Sequence, residues 1–227
     1  MLKKAYIPYK GYFSSPFARW QGSLAEEHAI KLGSDTSKRW LAEKGWDPKI
    51  FDYLYLGITV HQPQGFYGGP WASAMLGADR IPGLLVSQAC STSTVAIYHA
   101  AMSVETGFSE TPFCLMVDRC SNGPHAIWPN PKGPGAQVIS EDWLMDNFNK
   151  DPHAGAAMIK TAENVSAEAG ITREQCDELT LRRNEQYKDA LADDHHDQRH
   201  DQVACVDVSG IRRLLHEHAA GVGQHRE

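Results

Sequence analysis

The chain has 227 residues, 42% of them hydrophobic and 22% charged, so it can bury a core as one domain or two small ones. A formal net charge of −6, with no block of Lys and Arg, gives a nucleic-acid backbone or an anionic membrane surface nothing to bind, and points to a small-molecule substrate or a protein partner. The scattered cysteines Cys90, Cys114, Cys120, Cys176 and Cys205 form no C-x-x-C pair, which argues against a zinc site or a redox dithiol and fits a reducing cytoplasm. Pro8, Lys10 and Gly11 break the first segment, so no signal-peptide core is expected. No later stretch reads as a membrane span.

In chain order, Ser23-Leu24-Ala25-Glu26 forms a capping box. Ala29, Ile30, Leu32, Trp40 and Leu41 then recur at helical spacing until Gly45, predicting a helix that starts at Ser23. Phe51 to Val60 reads as a strand, Gly65 to Pro70 as a turn, and Trp71 to Leu76 as a short helix. Leu84 to Val86 is a buried-type strand, Ser91 to Gly107 a helix and Phe113 to Val117 another buried-type strand. Strands alternating with helices predict an α/β fold, a mostly parallel sheet with helices on both faces. Arg119 to about Gly155 is rich in Asn, Gly and Pro and reads as a loop excursion. Helices return at about Ala154 to Ala169 and, capped by Thr172 and Gln175, run to about Leu191. Domain 1–194 thus precedes an irregular, aberrant tail over 195–227, where six of the eleven histidines fall.

Ser87-Gln88-Ala89-Cys90-Ser91-Thr92-Ser93-Thr94 places a thiol between a buried strand and a helix. Backbone N–H groups and the positive end of the helix dipole favour a thiolate at such a junction. The helix that follows carries Val95, Ala96, Ile97, Ala100, Ala101, Met102 and Val104 around most of its circumference, so it reads as buried and central. On this pattern alone the reading of Cys90 as a small buried hydrophobe, the common state of free cysteine, is the favoured one.

Four segments decide between those readings: Ser15 to Ala25, Gln88-Ala89-Cys90-Ser91-Thr92-Ser93, Ser121-Asn122-Gly123-Pro124-His125, and Thr161-Ala162-Glu163-Asn164-Val165 continuing through Gly170-Ile171-Thr172-Arg173-Glu174-Gln175. In this order, over about Ala5 to Asp194, the chain resembles the N-terminal half of the thiolases. The resemblance implies the N-terminal half of a layered fold in which the cysteine at the Cys90 position accepts the acyl group of acyl-CoA as a thioester. Amides at the helix start would stabilise the tetrahedral oxyanion. It further implies an acyl-CoA C-acyltransferase that forms or thiolytically cleaves a C–C bond, with a coenzyme A thioester as substrate and no other cofactor. Met158 and His125 are implied substrate contacts, although Ala157 stands where the family commonly has histidine.

The family's activating histidine, second cysteine and asparagine-histidine element belong to a C-terminal domain whose motifs this chain lacks, so full turnover is not expected of it alone. The expected partners are acyl-CoA and either a second copy, giving a homo-oligomer, or a complementary C-terminal-type chain. Alternatives are a non-catalytic partner subunit or defective fragment, a carrier-dependent ketoacyl synthase, and a Cys/His hydrolase drawing on His61, His99, His125 or His153. Taken singly, His125 serves a substrate or a loop carbonyl, Met158 lines an acyl pocket or fills core space, and His99 reads as a hydrogen-bonded core residue. His196 and His200, four apart, lack further metal ligands, and no metal site is expected.

Overall fold

The computed structural model describes residues 2–15, 18–121, 123–192 and 205–207, which divide between two compact units, 1–119 with 201–227 and 120–200. In the first unit, strand β1 is Tyr12–Phe13 and helix α1 is Ala29–Lys44. The Ser23-Glu26 box does not start this helix. Its N-cap, His28, makes no side-chain cap bond, and the Ala29 N–H donates instead to Gln62 Oε1 at 2.7 Å. The cap is supplied from 33 residues away, where no local motif could announce it.

The predicted β-α-β-α-β run is present as β2 (Tyr53–Gly57), α2 (Gly68–Leu76), β3 (Gly83–Val86), α3 (Thr92–Thr106) and β4 (Pro112–Met116). Strand β2 pairs in parallel with both β3 and β4. The expected irregular tail is corrected at Cys205–Asp207, which forms strand β7 and lies antiparallel between β1 and β4, giving the order β1-β7-β4-β2-β3. His195, His196 and His200 lie outside the described residues.

Alternate residues of the central strands serve opposite faces. Leu54, Leu56, Phe113 and Leu115 join Ile30, Leu41, Ala72 and Leu76 on the α1/α2 side, and Tyr55 and Cys114 join Ala96 and Ala100 of α3 on the other. Each fully buried leucine contributes about 1.5–3 kcal/mol. Helix α2 lies against β3 so closely that a Cβ on Gly83 would meet the Gly69 carbonyl carbon at 2.4 Å, which only a glycine pair permits. The buried character expected of α3 holds on one face. Ala96, Ala100 and Ala101 are buried, whereas Tyr98 is 57% exposed and His99, expected in the core, is exposed.

The second unit holds more regular structure than a loop excursion. Antiparallel strands β5 (His125–Pro129) and β6 (Val138–Asp142) form a hairpin followed by α4 (Met145–Asn149), α5 (Met158–Ala169) and α6 (Arg173–Ala192). The predicted Thr172/Gln175 box is formed, Gln175 N–H donating to Thr172 Oγ1 at 3.3 Å and Thr172 N–H to Gln175 Oε1 at 2.9 Å. No described helix is long and apolar enough to cross a membrane.

Candidate functional site

Strands β2, β3 and β4 all end at one edge of the first unit, and β2 sits where the strand order turns from one neighbour to the other. Open α/β sheets bind ligands beyond the carboxyl ends of their strands at such a switch point. Cys90 stands there, in a one-turn 3₁₀ helix (Ala89–Ser91) between the end of β3 and the start of α3. It is a free, exposed thiol, so the reading of Cys90 as a buried hydrophobe fails, while Cys114 of β4 is buried and takes that role.

The turn is strained and tied down. Ala89 has φ 44°, a left-handed conformation that costs a residue with a Cβ about 1–2 kcal/mol. Its carbonyl accepts hydrogen bonds from Thr92 Oγ1 at 2.8 Å and Thr59 Oγ1 at 3.1 Å, and the two hydroxyls are 3.0 Å apart. Gln88 N–H donates to Thr92 Oγ1 at 2.8 Å, and the Ser91 hydroxyl donates to Gln88 O at 3.0 Å. Gly57, at the end of β2, makes room for Thr92, since a Cβ there would approach the Thr92 methyl to 3.1 Å.

Beyond β4, the Asp118 carboxylate takes the next backbone amides after β2. Oδ1 accepts from Thr59 N at 3.0 Å and Val60 N at 2.7 Å, and Oδ2 accepts from Thr59 N at 3.2 Å. Asp118 keeps a solvent-exposed side, yet the protein around its carboxyl pushes it above the ordinary carboxylate range, desolvation outweighing the opposing Val60 and Thr59 N–H donors, the Thr59 hydroxyl and the nearby His61. Thr59 and Asp118 carry no motif. Asp118 is marked only by its position just past the predicted strand Phe113 to Val117, and Thr59 falls inside the predicted strand Phe51 to Val60, which the structure ends at Gly57.

The other expected site residues lie in the second unit. His125 is exposed on β5, its Nε2 3.9 Å from Asp142 Oδ2 of β6. Met158 is the half-buried first residue of α5, with Ala157 as N-cap. His99 lies about 13 Å along the chain axis from Cys90 by helical rise, too far to serve as its base. Among the described residues no group of three or more His, Cys, Asp or Glu side chains could hold a metal ion.

Residues 13–208 match the family described as thiolase, N-terminal domain. The cytosolic acetyl-CoA acetyltransferase of Gibberella zeae is 29% identical over 189 residues, covering 78% of this chain and 45% of that protein. Human mitochondrial 3-ketoacyl-CoA thiolase is 23% identical over 180 residues, with coverages of 78% and 45%. Among solved structures, the acetyl-CoA acetyltransferase of Bacillus anthracis superposes with a TM-score of 0.69 at 25% identity, covering 82% of this chain and 47% of that one. The Syntrophomonas wolfei enzyme of the same name gives 0.71 at 24%, with coverages of 86% and 51%. The chain spans about half the length of the curated relatives it matches.

Proposed function

The chain belongs to the thiolase family, and we propose that it carries the acyl-accepting half of an acyl-CoA C-acyltransferase, with Cys90 as nucleophile. The observation that carries this is the exposed Cys90 sulfur on a strained, multiply bonded turn at the sheet's switch point. The thiolate attacks the acyl-CoA carbonyl, a new S–C bond forms, and coenzyme A leaves as its thiolate, so the acyl group rests on Cys90 as a thioester. The positive end of the α3 dipole, directed at the turn that carries Cys90, stabilises the oxyanion of the tetrahedral species.

Met158 contributes to the acyl pocket and His125 to substrate contact in this reading, on the strength of the motifs that contain them. The second stage, Claisen condensation or its thiolytic reversal, requires a base, which this reading places on further protein. A second copy or a C-terminal-type chain is the proposed partner, and the exposed Tyr98 and His99 side of α3 supports one. A cytoplasmic location is supported by the Gibberella zeae relative, described as cytosolic, whereas the human one is mitochondrial.

Intact-mass spectrometry after incubation with acetyl-CoA and longer acyl-CoAs tests the proposal. An acyl adduct is expected on the native chain and not on Cys90→Ala. An adduct that persists in the variant, or none from any acyl-CoA on folded protein, removes Cys90 acylation by this chain and favours a non-catalytic partner subunit.

A further inference from the structure

We propose that Thr59, held by Asp118, is a positioning residue that fixes the left-handed turn at Ala89 and so sets where the Cys90 sulfur is presented. The inference rests on Cys90 being the nucleophile. The bonds among Gln88, Ala89, Ser91 and Thr92 are local to the turn, and they give it shape without placing it on the sheet. The bond from Thr59 Oγ1 to Ala89 O joins it to the end of β2, 30 residues earlier. Thr59 has its own position set from β4, because Asp118 takes its N–H and that of Val60. A non-glycine residue in a left-handed conformation persists only where its surroundings over-determine it, and at Ala89 the Thr59 hydroxyl supplies the tertiary part of that constraint.

The test needs no acyl-CoA, which separates it from the proposed function. The rate of iodoacetamide alkylation is followed peptide by peptide across pH. Cys120 and Cys176, both exposed, serve as references, and the buried Cys114 reports unfolding. With Cys114 protected, Thr59→Val is expected to slow Cys90 relative to the references by about fivefold to tenfold, the worth of one lost hydrogen bond, and to move the pH at half-maximal rate. Thr59→Ser restores the native rate to within about twofold.

Glycine at position 89 adopts the left-handed conformation without a Cβ penalty, so in an Ala89→Gly background Thr59→Val costs less than about threefold. Equal Cys90 rates in native protein and Thr59→Val, or an undiminished loss in the Ala89→Gly background, overturn the inference. If Thr59→Val also exposes Cys114, the Thr59→Ser and Asp118→Asn variants are read instead. An unchanged Cys90 rate and pH profile in Asp118→Asn has the same overturning force. If the alkylation pattern holds while no acyl-CoA loads Cys90, the proposed acylation falls and the positioning role stands.

Discussion

Residues 1–119 with 201–227, and residues 120–200, are built on different principles. The first unit closes two apolar clusters over the faces of its sheet, with Ile30, Leu41, Leu54, Leu56 and Leu115 at 0% exposure. In the second unit Ser121 is the one buried residue among those described, and Ile159 of α5 is 75% exposed. Side-chain acceptors hold its turns together. Asp142 accepts from the Leu144 and Met145 amides, Asp146 from Asp142 N–H, and Asp151 from the His153 and Ala154 amides. Secondary structure alike in appearance is thus maintained by volume in one unit and by capping in the other.

The largest expected effect lies in the first unit. Leu56→Ala empties space in the α1/α2 cluster and should cost about 2–5 kcal/mol in urea unfolding followed by circular dichroism. Ile159→Ala should stay within about 0.5 kcal/mol, and a comparable cost there would break the contrast.

Acid separates the units next. Backbone N–H donors hold the carboxyls of Asp142 and Asp151 below the ordinary range. A depressed folded-state value gives stability that is full above the unfolded value and lost as pH falls through the folded one. The protection of the Leu144, Met145, His153 and Ala154 amides, read as the exchange rate relative to the intrinsic rate at each pH, should therefore fall on acidification toward and below the usual carboxylate range, and Asp142→Asn or Asp151→Asn should flatten that response. Asp118, raised by desolvation, has the opposite sign. The folded state retains its proton more tightly, so its contribution is full below the usual range and is lost as pH rises through the raised value. The same series at Thr59 and Val60 would erase the distinction if their protection fell on acidification in step with the second unit.

A modest effect, above that of Ile159→Ala and below that of Leu56→Ala, belongs to the Thr172/Gln175 box. Thr172→Ala should cost about 1 kcal/mol, read as loss of helicity in α6.

The same contrast explains what the sequence reveals. The β-α-β-α-β run is legible because β2 and β4 are largely buried on both faces and read as apolar runs, whereas in β3, read as buried-type, Val86 is buried and Leu84 is 42% exposed. Cys90 is legible because a strand-to-helix junction and a family motif coincide there. The start of α1 is not, since Gln62, distant in sequence, outcompetes the Ser23-Glu26 box. The β5–β6 hairpin gives no signal of alternation because it has no buried face, with Ile127, Trp128, Val138 and Ile139 all exposed. His99 misleads for the converse reason. Its apolar neighbours are real, but it lies on the side of α3 that this chain leaves open. Thr59 and Asp118 escape notice because their importance arises from the meeting of three strand ends.

The parallel pairing of β2 also sets an order of events. Tyr53 finds Pro112 only after α2, β3 and α3 have been made, whereas Pro129 meets Val138 within a single hairpin. Contacts so distant along the chain are slow to form, because the intervening loop must be closed before any of them is rewarded. During synthesis the apolar side chains of α1 and β2 therefore wait for β4 to leave the ribosome. That interval is when the nascent chain is most open to aggregation and most dependent on chaperones.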